Sequence, residues 1–91
     1  MGLERIVLGW TTENNALVRT ERFENFNEAL GFIVRVGLLA EQNDHHPTIT
    51  NTYNEVSLLL TTHDQGNTIT EKDYDLAEKI NAVLEPSNKT M

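Results

Sequence analysis

The sequence predicts an α+β fold: a four-stranded antiparallel sheet with two helices packed on one face. Hydrophobic periodicity along the 91 residues gives the order β-β-α-β-β-α. The joins at Thr11–Asn15 and Tyr53–Glu55 are too short for the crossovers that parallel strands need, so each must close a hairpin. Two hairpins, each followed by a helix, favour a sheet covered on one side within a single domain.

The first two predicted strands form the first hairpin. Leu3–Trp10 is predicted as a strand because an apolar run is bounded by Gly9. Thr11–Asn15 is a polar segment and is predicted as the turn. Ala16–Phe23 alternates weakly between apolar and polar residues, which favours the second strand.

The first helix is predicted to begin at Asn25 and to run to about Gln42. Asn25 followed by Glu28 resembles a capping box. Pro47 after the two histidines is expected to end the helix, since a residue before proline avoids the α region. An inner face is predicted from three- and four-residue steps through Phe26, Ala29, Leu30, Ile33, Val36, Gly37 and Ala40. Three further apolar residues widen this surface, and a helix this apolar is predicted to contact a second subunit. These residues are Phe32, Val34 and Leu38.

The second hairpin and the last helix complete the domain. Thr48–Tyr53 is rich in β-branched residues, and Glu55–Thr62 alternates, which predicts strands three and four. His63–Thr68 is expected to be a polar loop. Thr70 with Asp73 predicts a capped helix that Glu85-Pro86 ends, with an inner face of Tyr74, Ala77, Ile80 and Leu84. The domain is assigned to residues 1–86, and residues 87–91 are expected to fray.

Composition excludes several classes of function. The net charge is −7 with a pI near 4.7, which disfavours direct binding to nucleic acid or to an anionic membrane surface. No cysteine is present, so disulfides, thiolate nucleophiles and cysteine-type zinc sites are excluded. The sequence shows neither a signal peptide nor a membrane span, and a cytoplasmic location is expected.

The candidate site is built on the three histidines of the chain, His45, His46 and His63. All three fall at predicted element ends, where rigid elements commonly hold functional groups. Their spacing alone leaves three interpretations open: solvated loop residues, a zinc site completed by nearby carboxylates, and acid–base chemistry near neutral pH. Adjacent histidines in an extended segment point in different directions, so His45 and His46 are expected to have different roles. Glu41 could orient His45 from one helical turn away, or be solvated.

The motif around these histidines resembles that of the pterin-4a-carbinolamine dehydratases. It reads Glu41-x3-His45-His46-Pro47-x5-Tyr53-x9-His63-x9-Asp73. Flanking segments are also similar to the family: residues 22–29 before the long helix, 40–47 at its end and 72–80 in the last helix. The resemblance covers roughly residues 9–84.

The resemblance implies a substrate and a set of site residues. Family members dehydrate 4a-hydroxytetrahydropterin to quinonoid dihydropterin without metal or cofactor, and so recycle the pterin of the aromatic amino acid hydroxylases. Carried over by position, His45 and His63 would be the acid–base pair, and His46 would bind and orient the pterin. The residues that would bind substrate or support the site are Glu41, Asp44, Pro47, Thr62, Asp64 and Asp73.

The sequence departs from the family at three places. Ile49 stands where the family usually has an aromatic residue, the loop 64–70 is one residue longer, and no counterpart of the family's first helix is expected before Gly9-Trp10.

The resemblance also implies an alternative, a non-catalytic module that binds pterin or acts in dimerisation, as in some animal transcription cofactors or in molybdopterin metabolism. Its contact face would include Phe32, Ile33, Val36 and Gly37. A homodimer or homotetramer is expected, through this helix or an edge strand.

Overall fold

The computed structural model describes residues 5–85 and confirms the predicted order of elements. The tail that was expected to fray, residues 87–91, lies outside this range, as do residues 1–4. The elements are β1 (Thr11–Glu13), β2 (Ala16–Arg22), α1 (Phe26–Asn43), β3 (Thr48–Thr52), β4 (Glu55–Leu60), a short 3₁₀ turn (His63–Gln65) and α2 (Glu71–Leu84).

The four strands form one antiparallel sheet in the order β1-β2-β4-β3. The hairpin of β3 and β4 is present as predicted, β1 and β2 form a hairpin with a different first strand, and β2 pairs with β4 at the centre. Val56, Leu58 and Leu60 of β4 are buried in one core cluster with apolar residues of both helices, so the helices cover the same face. On the opposite face, the Thr20 and Ser57 hydroxyls lie 2.9 Å apart across β2 and β4.

The predicted first strand is wrong. Residues 5–10 form no strand, and β1 is Thr11–Glu13, inside the segment predicted as the turn. The turn consists only of Asn14 and Asn15, whose φ angles are 49° and 63°. Two consecutive left-handed residues make the turn that matches the right-handed twist of a hairpin, and asparagine adopts this conformation readily. The two asparagines therefore fix the register, and the preceding threonines become the strand.

Side chains, rather than strand pairing, hold the segment before β1. Trp10 is buried, and its indole Nε1 donates to Asn81 Oδ1 of α2 at 2.8 Å. The same oxygen accepts from Arg19 Nη1 at 2.7 Å, and Asn81 Nδ2 donates to the Leu8 carbonyl at 2.8 Å. Gly9 turns the chain at φ 84° directly beside the Arg19 guanidinium.

Arg5 ties the start of the described chain to the exposed side of α2. Its guanidinium forms ion pairs with Glu78, Asp75 and Glu71. Hydrogen bonds to these carboxylates raise the pKa of Arg5 above its usual range, and the bond to Glu78 has the largest effect. The Arg5 guanidinium therefore stays charged at neutral pH and well above it.

Helix α1 begins as predicted, but its inner face differs from the prediction. The Asn25 side chain accepts from the Glu28 amide at 2.9 Å. The buried residues are Ala29, Phe32, Val36 and Ala40. Four apolar residues at four-residue steps are exposed instead and are called the α1 stripe below: Phe26, Leu30, Val34 and Leu38. Phe32 and Val36, which were assigned to a contact face, are therefore unavailable to a partner.

The end of α1 also has a different cause from the one predicted. Asp44 adopts the left-handed conformation at φ 52°, and its N–H donates to the carbonyls of Ala40 and Glu41. A left-handed residue is a common helix C-cap, and aspartate tolerates it better than most residues. The helix thus ends at Asp44, before Pro47 can act. None of the helices within residues 5–85 has the length and apolar character needed to cross a membrane.

Candidate active site

A cleft of about 300 Å³ lies where the C-terminal end of α1, the end of β4 and the first turn of α2 meet. All three histidines line it. The complete lining is Asp44, His45, His46, Thr61, Thr62, His63, Asp64 and Lys72. The fold therefore brings together residues from three segments of the chain that the sequence places apart.

His45 is held by a buried carboxylate. Its Nε2 lies 2.5 Å from Asp73 Oδ1, and the side chains of the two residues are 11% and 0% exposed. Asp73 stands at the third position of α2 and forms a reciprocal capping box with Thr70, whose amide donates to Asp73 Oδ2 at 2.9 Å. The first-turn helix acid predicted from the sequence therefore also orients a histidine.

Thr62 connects this pair to the rest of the site. It is buried, and its hydroxyl donates to Asp73 Oδ2 at 2.7 Å and lies 2.7 Å from the Thr70 hydroxyl. Asp73 thus interacts with His45 on one oxygen and accepts two hydrogen bonds on the other. Since a buried carboxylate is tolerated only when it is paired and hydrogen-bonded, this network keeps the side chain of Asp73, and with it His45, in place.

His46 points to a different partner, as expected for adjacent histidines. Its Nε2 lies 3.0 Å from Glu41 Oε1, and the two side chains are 57% and 81% exposed. The expectation that Glu41 could orient His45 is therefore wrong: the carboxylate contacts His46. An exposed pair of this kind contributes little to stability. Because both side chains are exposed, the His46 ring and the Glu41 oxygens are accessible to a ligand.

His63 is presented by a tight loop. It opens the 3₁₀ turn that follows β4, and its Nδ1 lies 2.6 Å from Asn67 Oδ1. Thr62 and Thr68 close the base of the loop through two backbone hydrogen bonds, of 2.9 and 3.3 Å. The loop that carries His63 is therefore anchored at the threonine that also supports Asp73.

The other predicted site residues have varied positions. Asp44 and Asp64 line the cleft, and Asp44 is in addition the C-cap of α1. Pro47 is half-buried and lies outside the lining. Tyr53, the aromatic residue of the motif, is exposed in the β3–β4 turn with φ 51°, at the opposite end of β4 from His63 and about 20 Å of strand away. The fold does not bring Tyr53 to the cleft of its own chain.

Sequence reasoning missed three residues of the site: Thr61 and Lys72, which line the cleft, and Asn67, which contacts His63. For Lys72 a signal existed, because it precedes Asp73 in the first turn of α2. Asn67 carried no such signal, since its contact with His63 depends on the left-handed backbone at Gly66 and Asn67.

The zinc interpretation finds no geometric support within residues 5–85. No three side chains among the histidines and carboxylates of that range lie close enough together to hold a metal ion. The histidines are instead paired with separate partners, Asp73, Glu41 and Asn67. The arrangement is suited to proton transfer at a small molecule that enters the cleft.

Comparison with known sequences finds a matching family model and similar relatives. The sequence model of the family described as pterin 4 alpha carbinolamine dehydratase matches residues 2–83. A relative from Thermomicrobium roseum, named "Putative pterin-4-alpha-carbinolamine dehydratase", is 56% identical over 72 residues, 79% of this chain and 76% of the relative. One of the same name from Sulfolobus acidocaldarius is 45% identical over 75 residues, 82% of this chain and 81% of the relative.

Two solved structures share the fold. The transcriptional coactivator/pterin dehydratase from Brucella melitensis superposes with a TM-score of 0.81 at 39% identity, over 86% of this chain and 84% of that one. A pterin dehydratase-like RuBisCO assembly factor of the alpha-carboxysome has a TM-score of 0.68 at 19% identity, over 86% of this chain and 89% of that one, which shows the fold alone. With the family model matching nearly the whole described chain, this protein belongs to the pterin 4 alpha carbinolamine dehydratase family.

Proposed function

We propose that this chain dehydrates 4a-hydroxytetrahydropterin to quinonoid dihydropterin by histidine acid–base catalysis. The observation that carries the proposal is the convergence of His45, His46 and His63 on one cleft, with His45 held by the fully buried Asp73. The family match supports the substrate class. This activity would serve the recycling of the pterin used by aromatic amino acid hydroxylases, in the cytoplasm.

The reaction needs one proton donor and one proton acceptor. The C4a–O bond breaks while its oxygen takes a proton and leaves as water. The electron pair of the adjacent ring nitrogen N5 forms the C4a=N5 double bond, and the N5 proton passes to a base. Imidazoles suit both roles because their unperturbed pKa is about 6.5. No metal or cofactor enters the proposed reaction.

The contacts suggest a role for each group. His45 and His63 are assigned to the two proton transfers. His46 is assigned to binding and orienting the pterin, since it is half exposed and has an exposed partner in Glu41. The carboxylates of Asp44 and Asp64, which line the cleft, can accept from the amino and ring N–H groups of a pterin. The other supporting residues are proposed to act through these: Thr62, Asp73, Glu41 and Pro47.

The test is a dehydration assay with single variants. His45→Ala and His63→Ala are each expected to lower kcat by about 10²–10⁴-fold, the contribution typical of general acid–base catalysis. His46→Ala is expected mainly to raise KM. Thr50→Ala, on the exposed face of β3, serves as the control and should match the parent protein. Unchanged turnover in both the His45 and the His63 variant would contradict the assignment.

A second candidate function is a non-catalytic module for pterin binding or for protein association. The exposed α1 stripe favours it, because contiguous apolar surface marks interaction sites. The Brucella melitensis relative also carries the name of a transcriptional coactivator. Isothermal titration with a dihydropterin distinguishes the two: binding without any dehydration by the parent protein would favour the module.

We also propose that the chain forms a homodimer or homotetramer through the α1 stripe.

A further inference from the structure

We propose that Asn67 is a positioning residue that fixes the tautomer of His63 and makes His63 the proton acceptor of the site. This inference rests on the dehydratase function proposed above and adds to it a division of labour between His45 and His63. It concerns a residue that lies outside the cleft lining and whose side-chain oxygen is within hydrogen-bond distance of the histidine ring.

The first step is the geometry of the pair. His63 Nδ1 lies 2.6 Å from Asn67 Oδ1. An amide oxygen only accepts hydrogen bonds, so the hydrogen of a neutral His63 ring resides on Nδ1. The lone pair is then on Nε2, and Nε2 is the atom of the ring left to accept a proton from a substrate. The partner of one ring nitrogen thus sets the protonation of the other.

The loop holds the side-chain amide of Asn67 in place. Gly66 and Asn67 are consecutive left-handed residues, with φ of 79° and 58°, and they turn the chain back toward His63. The Gly66 amide donates to the His63 carbonyl at 3.0 Å, and the bridge between Thr62 and Thr68 closes the loop behind them. Asparagine is among the few residues that adopt this backbone and offer a side-chain oxygen to a near neighbour.

The different hydrogen-bond partners of His45 and His63 give the two histidines different roles in proton transfer. The partner of His45 is the carboxylate of Asp73, which stabilises a cationic ring, whereas the partner of His63 is a neutral amide. His45 therefore carries the proton that goes to the leaving hydroxyl. His63 presents an unprotonated Nε2 and takes the proton from N5.

The experiment combines a tautomer measurement with kinetics. Long-range ¹H–¹⁵N correlation spectra of the imidazoles are recorded at about pH 9, where an unperturbed histidine is neutral. His63→Gln assigns the His63 signals. Asn67→Gly keeps the left-handed backbone and removes the amide, and Asn67→Asp keeps the acceptor oxygen. Asn15→Gly is the matched control, since Asn15 is also left-handed (φ 63°) but lies in the β1–β2 turn.

The parent protein should show His63 with hydrogen on Nδ1. Asn67→Gly should lose this fixed tautomer and about ten- to a hundredfold in kcat, part of what acid–base catalysis supplies, with little change in KM. Asn67→Asp should retain the tautomer but lower kcat, because a carboxylate beside His63 favours the cationic ring, as Asp73 does beside His45. Asn15→Gly should match the parent in both.

The inference would be overturned by a parent His63 whose hydrogen resides on Nε2, or by an Asn67→Gly variant with unchanged kcat. A loss of kcat in Asn15→Gly equal to that in Asn67→Gly would also overturn it, since backbone freedom would then be the cause. A parent protein without dehydratase activity would remove the proposed function and the catalytic role of Asn67 together. The spectra would still decide whether the hydrogen bond sets the tautomer.

Discussion

At the scale of single residues, the site depends on one buried carboxylate. Asp73 caps α2, interacts with His45 and accepts from Thr62, so one side chain links a helix start, a histidine and the end of β4. Burying a charge is unfavourable unless each of its oxygens is satisfied. Thr62 therefore supports the carboxylate that holds His45, in addition to lining the cleft.

We expect Thr62→Val to damage both stability and activity. Valine keeps the shape of threonine but removes the hydroxyl that donates to Asp73, so a buried acceptor loses a partner. The free energy of unfolding should fall by about 1–3 kcal/mol, and kcat should fall because the side chain that holds His45 is less firmly held. Urea unfolding and the dehydration assay measure the two effects.

Thr50→Val is the matched control, since Thr50 lies exposed on β3, and it should change the unfolding free energy by no more than about 0.5 kcal/mol. Equal effects of the two substitutions would refute the role given to Thr62.

The sequence predicted the members of the site better than their contacts. The histidines, Asp44, Thr62 and Asp64 were named in advance, and all line the cleft. The partner suggested for Glu41 was wrong, because side chains one helical turn apart need not meet once the chain leaves the helix. The pairing of His45 with Asp73, 28 positions apart, could not be inferred from local spacing.

At the scale of elements, the segment before β1 shows the limit of apolar patterns. The apolar residues 6–8 predicted a strand, but Ile6 and Leu8 are exposed, and only Val7 is buried. A short apolar run cannot by itself distinguish a strand from an irregular segment that places one side chain in the core. The Asn14-Asn15 turn was the stronger signal, since it fixes where the hairpin closes.

Two glycine substitutions test this description. Gly9→Ala should lower the free energy of unfolding by about 1–2 kcal/mol, because Gly9 is left-handed and an added Cβ would lie 2.2 Å from Arg19 Nη1. Gly37→Ala is the opposite case: it is helical with no atom within 4 Å of an added Cβ, and it should raise stability by about 0.5–1 kcal/mol. Urea unfolding of both proteins at low concentration measures the difference. If Gly9→Ala left the stability unchanged, the segment before β1 would not be held as described.

At the scale of the whole molecule, the exposed α1 stripe and the small size of the chain favour association with a second copy. Its residues are between 44% and 61% exposed, on a helix whose other side is fully packed. A small domain buries a modest share of its surface, so covering this stripe would add to its stability.

We expect Val34→Lys to weaken self-association, because a charge would be placed within the apolar contact. Sedimentation velocity over a range of protein concentrations should show an oligomer for the parent and a monomer for this variant. Thr50→Lys adds the same charge on the exposed face of the sheet and should leave the oligomer intact. The reverse result would assign the interface to the sheet, and a monomeric parent would refute self-association altogether.

By itself, the sequence determined the α+β class, the order of the elements, the second hairpin and the histidine motif that places the chain in its family. These follow from local periodicity, capping residues and turn chemistry, all of which act over a few neighbouring positions. Only the tertiary structure decided which histidine meets which partner, that Tyr53 lies far from the cleft, and which face of α1 remains exposed. The physical reason is that these contacts join side chains from different elements, and their distances are set by how the helices pack on the sheet rather than by spacing along the chain.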